Sequence, residues 1–462
     1  MLKISRPLVF TWICTLALTC SHLAIADTST ATLASAPAQL PISIEAIDRV
    51  WSGHTVPFAI TTSKDHLYVA YYDANRQLTV AQRPLNAPSH WVYHKLDTWL
   101  GWDSHNLIAM TLDASGAVHI AANMHVDPLT MFRSDTTGDV RTLQRVPKML
   151  DAAREKAMTY PVFLKNHQGQ LIFKYRDGSS GRGNEIYNIY DEKSQSWKAL
   201  TNSPLTDGEG QRNAYFMGPT SGKDGYFHVA WVWRESPSAE TNHDLSYAKS
   251  RDLVHWERAD GSPLTLPIRL KQAEIVDPVP VSGGMINNNT VLGFDEEGRA
   301  IITYHKYDAA GNTQIWLARH EKAGWKLKQI SAWTNYRWDF KGNGSLNSEI
   351  FVEGARPGKP GQLLVAVTRL GQRLEFSVDS RTLETVSENK AAGVAEMFAT
   401  YFKPGPDMQI NTTETSDANG RVYRLAWTAQ VPHRDLPLTE IVPATDLKLF
   451  VFNPGKPREN RG

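Results

Sequence analysis

Residues 113–123 read DASGAVHIAAN. An Asp and a Gly suited to a tight reversal lead into a run of small and β-branched apolar residues. The phrase has six relatives along the chain: SKDHLYVAYYD (63–73), NHQGQLIFKYR (166–176), GKDGYFHVAWVW (222–233), DEEGRAIITYHK (295–306), GKPGQLLVAVT (358–368) and DANGRVYRLAWT (417–428). Their equivalent turn positions are Asp65, Gly116, Gly169, Gly225, Gly298, Gly361 and Gly420, spaced 51 to 73 residues apart. Each turn is expected to place its Gly or Asp at positive φ. A fixed self-similar unit of this length implies a repeat architecture.

Further β-type runs follow each copy, and several close on a Trp, as in SQSWKAL, LVHWERA and AGWKLKQ. Strand, turn, strand and Trp, repeated, is the pattern of propeller blades. The fold expected is all-β, a seven-bladed β-propeller, with a β-sandwich as the competing arrangement. Only LDAAREKAMTY (150–160) reads as a helix. SRDLVHW (250–256) approximates the Asp-box turn of sialidase-type blades, one residue short and without its Gly.

The chain has 462 residues, 41% hydrophobic and 21% charged, a globular profile long enough for a large core. Residues 1–26 read as a signal peptide: Lys3 and Arg6, an apolar stretch, then AIA at 24–26. A secreted or periplasmic protein follows from that reading. Lipidation at Cys20 is the weaker alternative, because Thr19 is bulkier than the residue usual before a lipidated Cys. Residues 27–41 read as a flexible leader, 42–453 as one β-domain and 454–462 as a disordered tail. Cys14 and Cys20 both lie in the signal segment, so the mature chain has no disulfide, thiolate ligand or Cys nucleophile. The formal charge is +1, and loss of Lys3 and Arg6 takes it to −1. Nothing in that balance suits nucleic acid, and the apolar start is too short for a membrane span.

The unusual polar residues gather in consecutive repeats. GWDSHNLIAM (101–110) holds His105 and Asn106, and His125 follows in AANMHVD. TYPVF holds Tyr160, and LIFKYRDGSSGRGN holds Arg176 before a glycine-rich loop. QRNAYFMG holds Tyr215. Each has a bland reading. A lone His in a β-protein is usually a hydrogen-bonded structural residue, as His119 is expected to be. Tyr160 before Pro161 packs in an extended backbone on that reading, and Arg176 pairs with a surface carboxylate.

Taken together, DSHN, NMHVD, TYPVF and YRDGSSGRGN resemble the BNR-4 repeat family, and within it the propeller-type ulvan lyases. The resemblance spans most of the mature chain and is most specific over residues 101–190. It implies a catalytic propeller that cleaves ulvan, or a related sulfated uronate polymer, by β-elimination at a 4-linked uronic acid. His105, His125, Tyr160 and Arg176 would be catalytic, with Asn106 and Tyr215 contacting substrate.

The chemistry suits those residue types. Abstraction of a C5 proton needs a cation on the neighbouring carboxylate, and a guanidinium supplies a planar two-point grip. Tyr160 and His105 are the base and acid, in either assignment, or Tyr160 serves as both, with a nearby Arg expected to lower the Tyr160 pKa. His125 orients the substrate. No cofactor is required when Arg176 neutralises the acid, while a structural Ca²⁺ or Zn²⁺ is compatible but without named ligands. The partner expected is an anionic polysaccharide, and the chain is expected to be monomeric. Two other classes compete: a sialidase-like glycoside hydrolase using Asp103 and Asp127, and a non-catalytic carbohydrate-binding propeller.

Overall fold

A computed structural model describes residues 40–152, 155–440 and 442–454. The expected signal peptide, nearly all of the expected leader and tail, and both cysteines lie outside the described residues. Among the described residues there are seven antiparallel sheets of four to six strands. The first holds Ala59–Thr62, His66–Tyr72, Gln77–Pro84 and Val92–Trp99, and the later sheets repeat this order of simple reversals. The last combines Met408–Ser416, Val422–Gln430 and Thr445–Phe452 with the N-terminal strand Ser43–Val50. Pairing the two ends of the chain closes a propeller and leaves no terminal blade frayed.

All seven sequence phrases fall at one place, the reversal from the first strand of a sheet into its second. Gly116, Gly169, Gly225, Gly298, Gly361 and Gly420 have φ between +76° and +90° there. The Asp that opens such a turn caps it: Asp113 Oδ1 accepts from the Ser115 and Ala117 amides, each at 3.0 Å. Asp65 departs from expectation, since it does not adopt positive φ. Ser63 Oγ accepts from its amide and that of His66 instead.

The second strand of each sheet packs between neighbouring sheets, so it reads as an unbroken apolar run instead of alternating. Phe227–Arg234 is buried at every position. The expected closing tryptophans lie on outer strands: Trp197 and Trp256 are buried, while Trp325 is partly so. The helix expected over 150–160 is not found among the described residues there. Met158–Tyr160 instead begin the strand Met158–Lys165. A five-residue helix occurs at Val394–Phe398. No helix of the described residues is long and apolar enough to cross a membrane. At 250–256, Ser250 and Asp252 hold the turn with their side chains, and the Trp256 indole donates to the Leu253 carbonyl at 3.1 Å. The Asp-box role survives without the Gly because Leu253 takes a φ of +65°.

Candidate active site

The first-to-second-strand reversals leave the sheets at one end. The second-to-third-strand reversals and the sheet-to-sheet connections leave at the other. His105, His125, Tyr160 and Arg176 all lie at this second end. His105 sits in the connection between Val92–Trp99 and Ala109–Leu112. His125 opens a short strand, His125–Asp127, which leaves its own sheet and pairs with Met158–Lys165 of the next. The amide of Val126 donates to Thr159 Oγ1 at 2.8 Å and pins the crossing.

Asp103 organises the two imidazoles. Its Oδ1 accepts from the His105 Nδ1 at 2.7 Å, and its Oδ2 takes the Nδ1 of His125. The rings stack with centroids 4.4 Å apart and planes 22° from parallel. Both Nδ1 atoms serve one carboxylate, so each neutral ring carries its lone pair on Nε2. Asp435 adds a second carboxylate, with Oδ2 3.6 Å from the His105 Nδ1. Burial would raise the Asp103 pKa, yet hydrogen bonds from the two imidazoles hold it well below the usual carboxylate range. Burial lowers the His125 pKa, against the pull of Asp103.

Tyr160 stands beside this pair, its ring 6.1 Å from that of His105 and 5.7 Å from that of His125. Pro161 does not hold it in an extended shape. Tyr160 has φ +55° at a break in strand register between Thr159 and Val162. A non-Gly residue in that region costs about 1–3 kcal/mol and turns the side chain out of the regular alternation.

Arg176 lies under the phenol, its guanidinium carbon 4.9 Å from the Tyr160 ring centre. It is 2% exposed, and among the described residues it forms no salt bridge. Its Nη1 donates to Tyr215 Oη at 3.3 Å, and its Nε and Nη2 have no protein acceptor. Gly183 makes this fit, since a Cβ there would lie 2.8 Å from Arg176 Cδ. The glycine-rich loop is therefore a tight hairpin that houses Arg176. Its Ser180 hydroxyl shares a hydrogen bond with Tyr215 Oη.

The phenol lowered by arginine is Tyr215, not Tyr160. Burial raises Tyr160, and the neighbouring Tyr215 adds to the rise, outweighing Arg176. Burial acts the same way on Tyr215, but Arg176 and Arg234 together overcome it. Arg234 escaped the sequence reading; its guanidinium carbon is 5.1 Å from the Tyr215 ring centre. Its signal was present, because WVWR ends the second strand of its sheet as FKYR nearly ends that of Arg176.

Asn106 is 7% exposed and its carbonyl accepts from the Tyr72 hydroxyl at 2.9 Å. Its side-chain Oδ1 is buried with no hydrogen-bond partner among the described residues. The carboxylate pair of a hydrolase is poorly served: both oxygens of Asp103 are occupied by imidazoles, and Asp127 is exposed on the short strand. Asp103, His105 and His125 also form a group of metal-ligand type, with one donor atom from each within 4.8 Å of the others.

Residues 66–333, more than half of the chain, match the BNR repeat-containing family. The chain belongs to that family. Relatives carry names consistent with the geometry. The chain is 25% identical over 247 residues to an ulvan lyase, short isoform, of Alteromonas sp. (strain LOR). That match covers 48% of this BNR-repeat chain and 47% of the relative, so the chain spans about half the length of the curated relative. The crystal structure of the polysaccharide lyase Uly1 superposes with a TM-score of 0.60 at 12% identity, covering 90% of this chain and 99% of that one. A PL25 ulvan lyase bound to -[GlcA(1-4)Rha3S]- gives a TM-score of 0.58 at 11% identity, covering 89% and 96%. These structural likenesses carry the fold.

Proposed function

We propose that the protein is a polysaccharide lyase acting on ulvan or a related sulfated uronate polymer. The observation that carries the proposal is the buried Arg176 guanidinium, its Nε and Nη2 without an acceptor among the described residues, beneath two phenols and an imidazole pair. A buried unpaired cation is costly and calls for an anion from the ligand. A uronate carboxylate answers it. Such a unit, GlcA(1-4)Rha3S, is bound in one structural relative.

In the proposed reaction Arg176 takes the carboxylate and stabilises the negative charge that develops on it. A base removes the C5 proton, and its electron pair forms the C4–C5 double bond. The C4–O4 bond breaks, and an acid protonates the departing oxygen. Tyr160 suits the acid, because burial keeps its phenol protonated. His105 suits the base, because Asp103 holds its Nδ1 and turns Nε2 to the substrate. His125 positions that substrate, and Tyr215 contacts it. Asn106, being buried, would act by holding the His105 loop.

Arg176 supplies the charge that the carboxylate needs, so the reaction as proposed requires no cofactor. If the protein holds a divalent cation, the two nitrogens and one oxygen of the Asp103 group suit Zn²⁺ better than Ca²⁺. We further infer one blade per sheet, export directed by the N-terminal segment, and action as a monomer.

The test is incubation with ulvan, following ultraviolet absorbance and reducing ends together. A lyase raises both, a hydrolase raises reducing ends alone, and a binding propeller raises neither. Arg176→Ala and Tyr160→Phe should each lower the rate by about 10³-fold with an unchanged melting temperature. Full activity in Arg176→Ala would overturn the assignment.

A further inference from the structure

Two turns of this chain share the residues Asp-Ala-Asn and the same geometry. In the turn at 417–420, Asp417 Oδ1 accepts from the Asn419 and Arg421 amides at 2.9 and 3.0 Å, and Gly420 has φ +77°. In the turn at 73–76, Asp73 Oδ1 accepts from the Asn75 and Gln77 amides at 2.8 and 3.0 Å. Here the left-handed position, φ +65°, is Arg76. Glycine would fit that backbone with less strain. The two turns lie at opposite ends of the sheets. The one with glycine is a first-to-second-strand reversal, and the one with arginine is at the end that carries the candidate active site.

The Arg76 side chain is held flat by two indoles. Its guanidinium carbon is 3.9 Å from the Trp51 ring centre and 4.4 Å from that of Trp102. The indoles meet edge to face at 5.3 Å. Trp51 is folded back over Gly53, where a Cβ would lie 2.2 Å from the ring. Among the described residues no carboxylate or carbonyl accepts from the Arg76 guanidinium, and the side chain is only partly buried. Trp102 directly precedes Asp103, which holds the two histidines. Stacking fixes a cation's position without neutralising it. A fixed, unneutralised and accessible guanidinium is built to receive an anion.

We propose that Arg76, clamped between Trp51 and Trp102, is an anion-reading subsite that binds a sulfate ester or carboxylate on a sugar neighbouring the cleaved unit. The inference rests on the lyase reading for its substrate, and its chemistry is a charged oxyanion in either case. The indole edges beside the guanidinium offer apolar surface to the same sugar ring.

Arg76→Gly is the informative variant, since it restores the residue that this turn carries elsewhere. Its melting temperature should stay close to that of the parent chain, because relief of the left-handed strain offsets the lost stacking. On ulvan its KM should rise about tenfold, with kcat within twofold, as loss of one charge-assisted contact requires. Desulfated ulvan separates the two anions. If sulfate is read, the parent and variant become alike on it; if carboxylate is read, the tenfold gap persists. Binding is also measured without turnover, by retardation of both chains in native gels containing ulvan. Reduced retardation of Arg76→Gly supports the subsite even if no unsaturated product forms, which would sink only the lyase reading. Equal retardation and equal KM for parent and variant would overturn the subsite.

Discussion

Two histidine–aspartate clusters lie at either end of one short strand, Val118–Ala121, and they differ in which ring nitrogen is left to work. His119 is fully buried, with Nε2 on Asp113 Oδ2 at 2.9 Å and Nδ1 buried without a protein partner. Arg133 closes the same carboxylate at 3.1 Å. His105 and His125 instead give Nδ1 to Asp103 and keep part of each ring exposed. The same pair of residue types makes a packing element in one place and, in the proposed reaction, a proton-handling element in the other. Accessibility of the lone pair separates them, more than the hydrogen bond itself does.

Exchanging the aspartates should expose the difference most sharply. Asp103→Asn keeps the shape, but an amide offers one acceptor and one donor. One imidazole must then move its proton to Nε2, which removes its basicity. The elimination rate should fall about 100-fold, with an unchanged unfolding midpoint. Asp113→Ala should do the reverse. It strips the turn of its cap and leaves His119 and Arg133 without their carboxylate, costing about 3 kcal/mol of stability. Its kcat per folded molecule should match the parent. A kinetic defect in Asp113→Ala at a permissive temperature would break the comparison.

Much of the fold could be read in advance because it rests on local chemistry. A turn glycine needs positive φ, and six of the seven phrases carry one at the required position. Asp65 did not follow, because a serine hydroxyl does the capping there. The 150–160 helix failed because Ala, Arg, Glu and Lys favour a helix locally, while Met158 and Thr159 gain a strand partner on each side. The site divides along the same line. Residue types drew attention to His105, His125, Tyr160 and Arg176, and only the family resemblance of their motifs implied a shared site. Asp103 was visible only as a candidate hydrolase acid, since its role depends on two loops meeting across sheets. Tyr160 misled on pKa because burial is a tertiary property, and its ring ends beside Tyr215 as well as Arg176.

The pH response sharpens the comparison at a smaller scale. Burial depresses His125, so it stays neutral below the ordinary imidazole pKa of 6.5. Substrate positioning by His125 should therefore hold as pH falls through 6.5, with KM rising only at lower pH. Stability follows the same sign. His54 and His305 are held near about 4 in the folded chain, chiefly by burial, and titrate at the ordinary 6.5 when unfolded. Between these values the unfolded chain binds more protons, so stability rises with pH across that window. Melting temperatures read from pH 4 to 7 should climb. A KM that rises already at pH 6.5 while the melting temperature holds would place an imidazole other than His125 in control of binding.

The smallest effect expected is from chelation. Asp103, His105 and His125 have the composition of a zinc site, yet each Nδ1 already donates to Asp103 and is satisfied there. A cation on those Nδ1 atoms would need them deprotonated, which moves the ring proton to Nε2 and removes the basic lone pair that the elimination uses. Metal binding in that mode and proton abstraction by the same ring are therefore competing uses of one cluster. With Arg176 meeting the carboxylate, incubation with EDTA should change the rate by less than about twofold. A tenfold loss, restored by added Zn²⁺, would reassign the pair from moving protons to holding metal. His105 would then join His119 as scaffold, with Tyr160 left as the one group able to both take and give the proton.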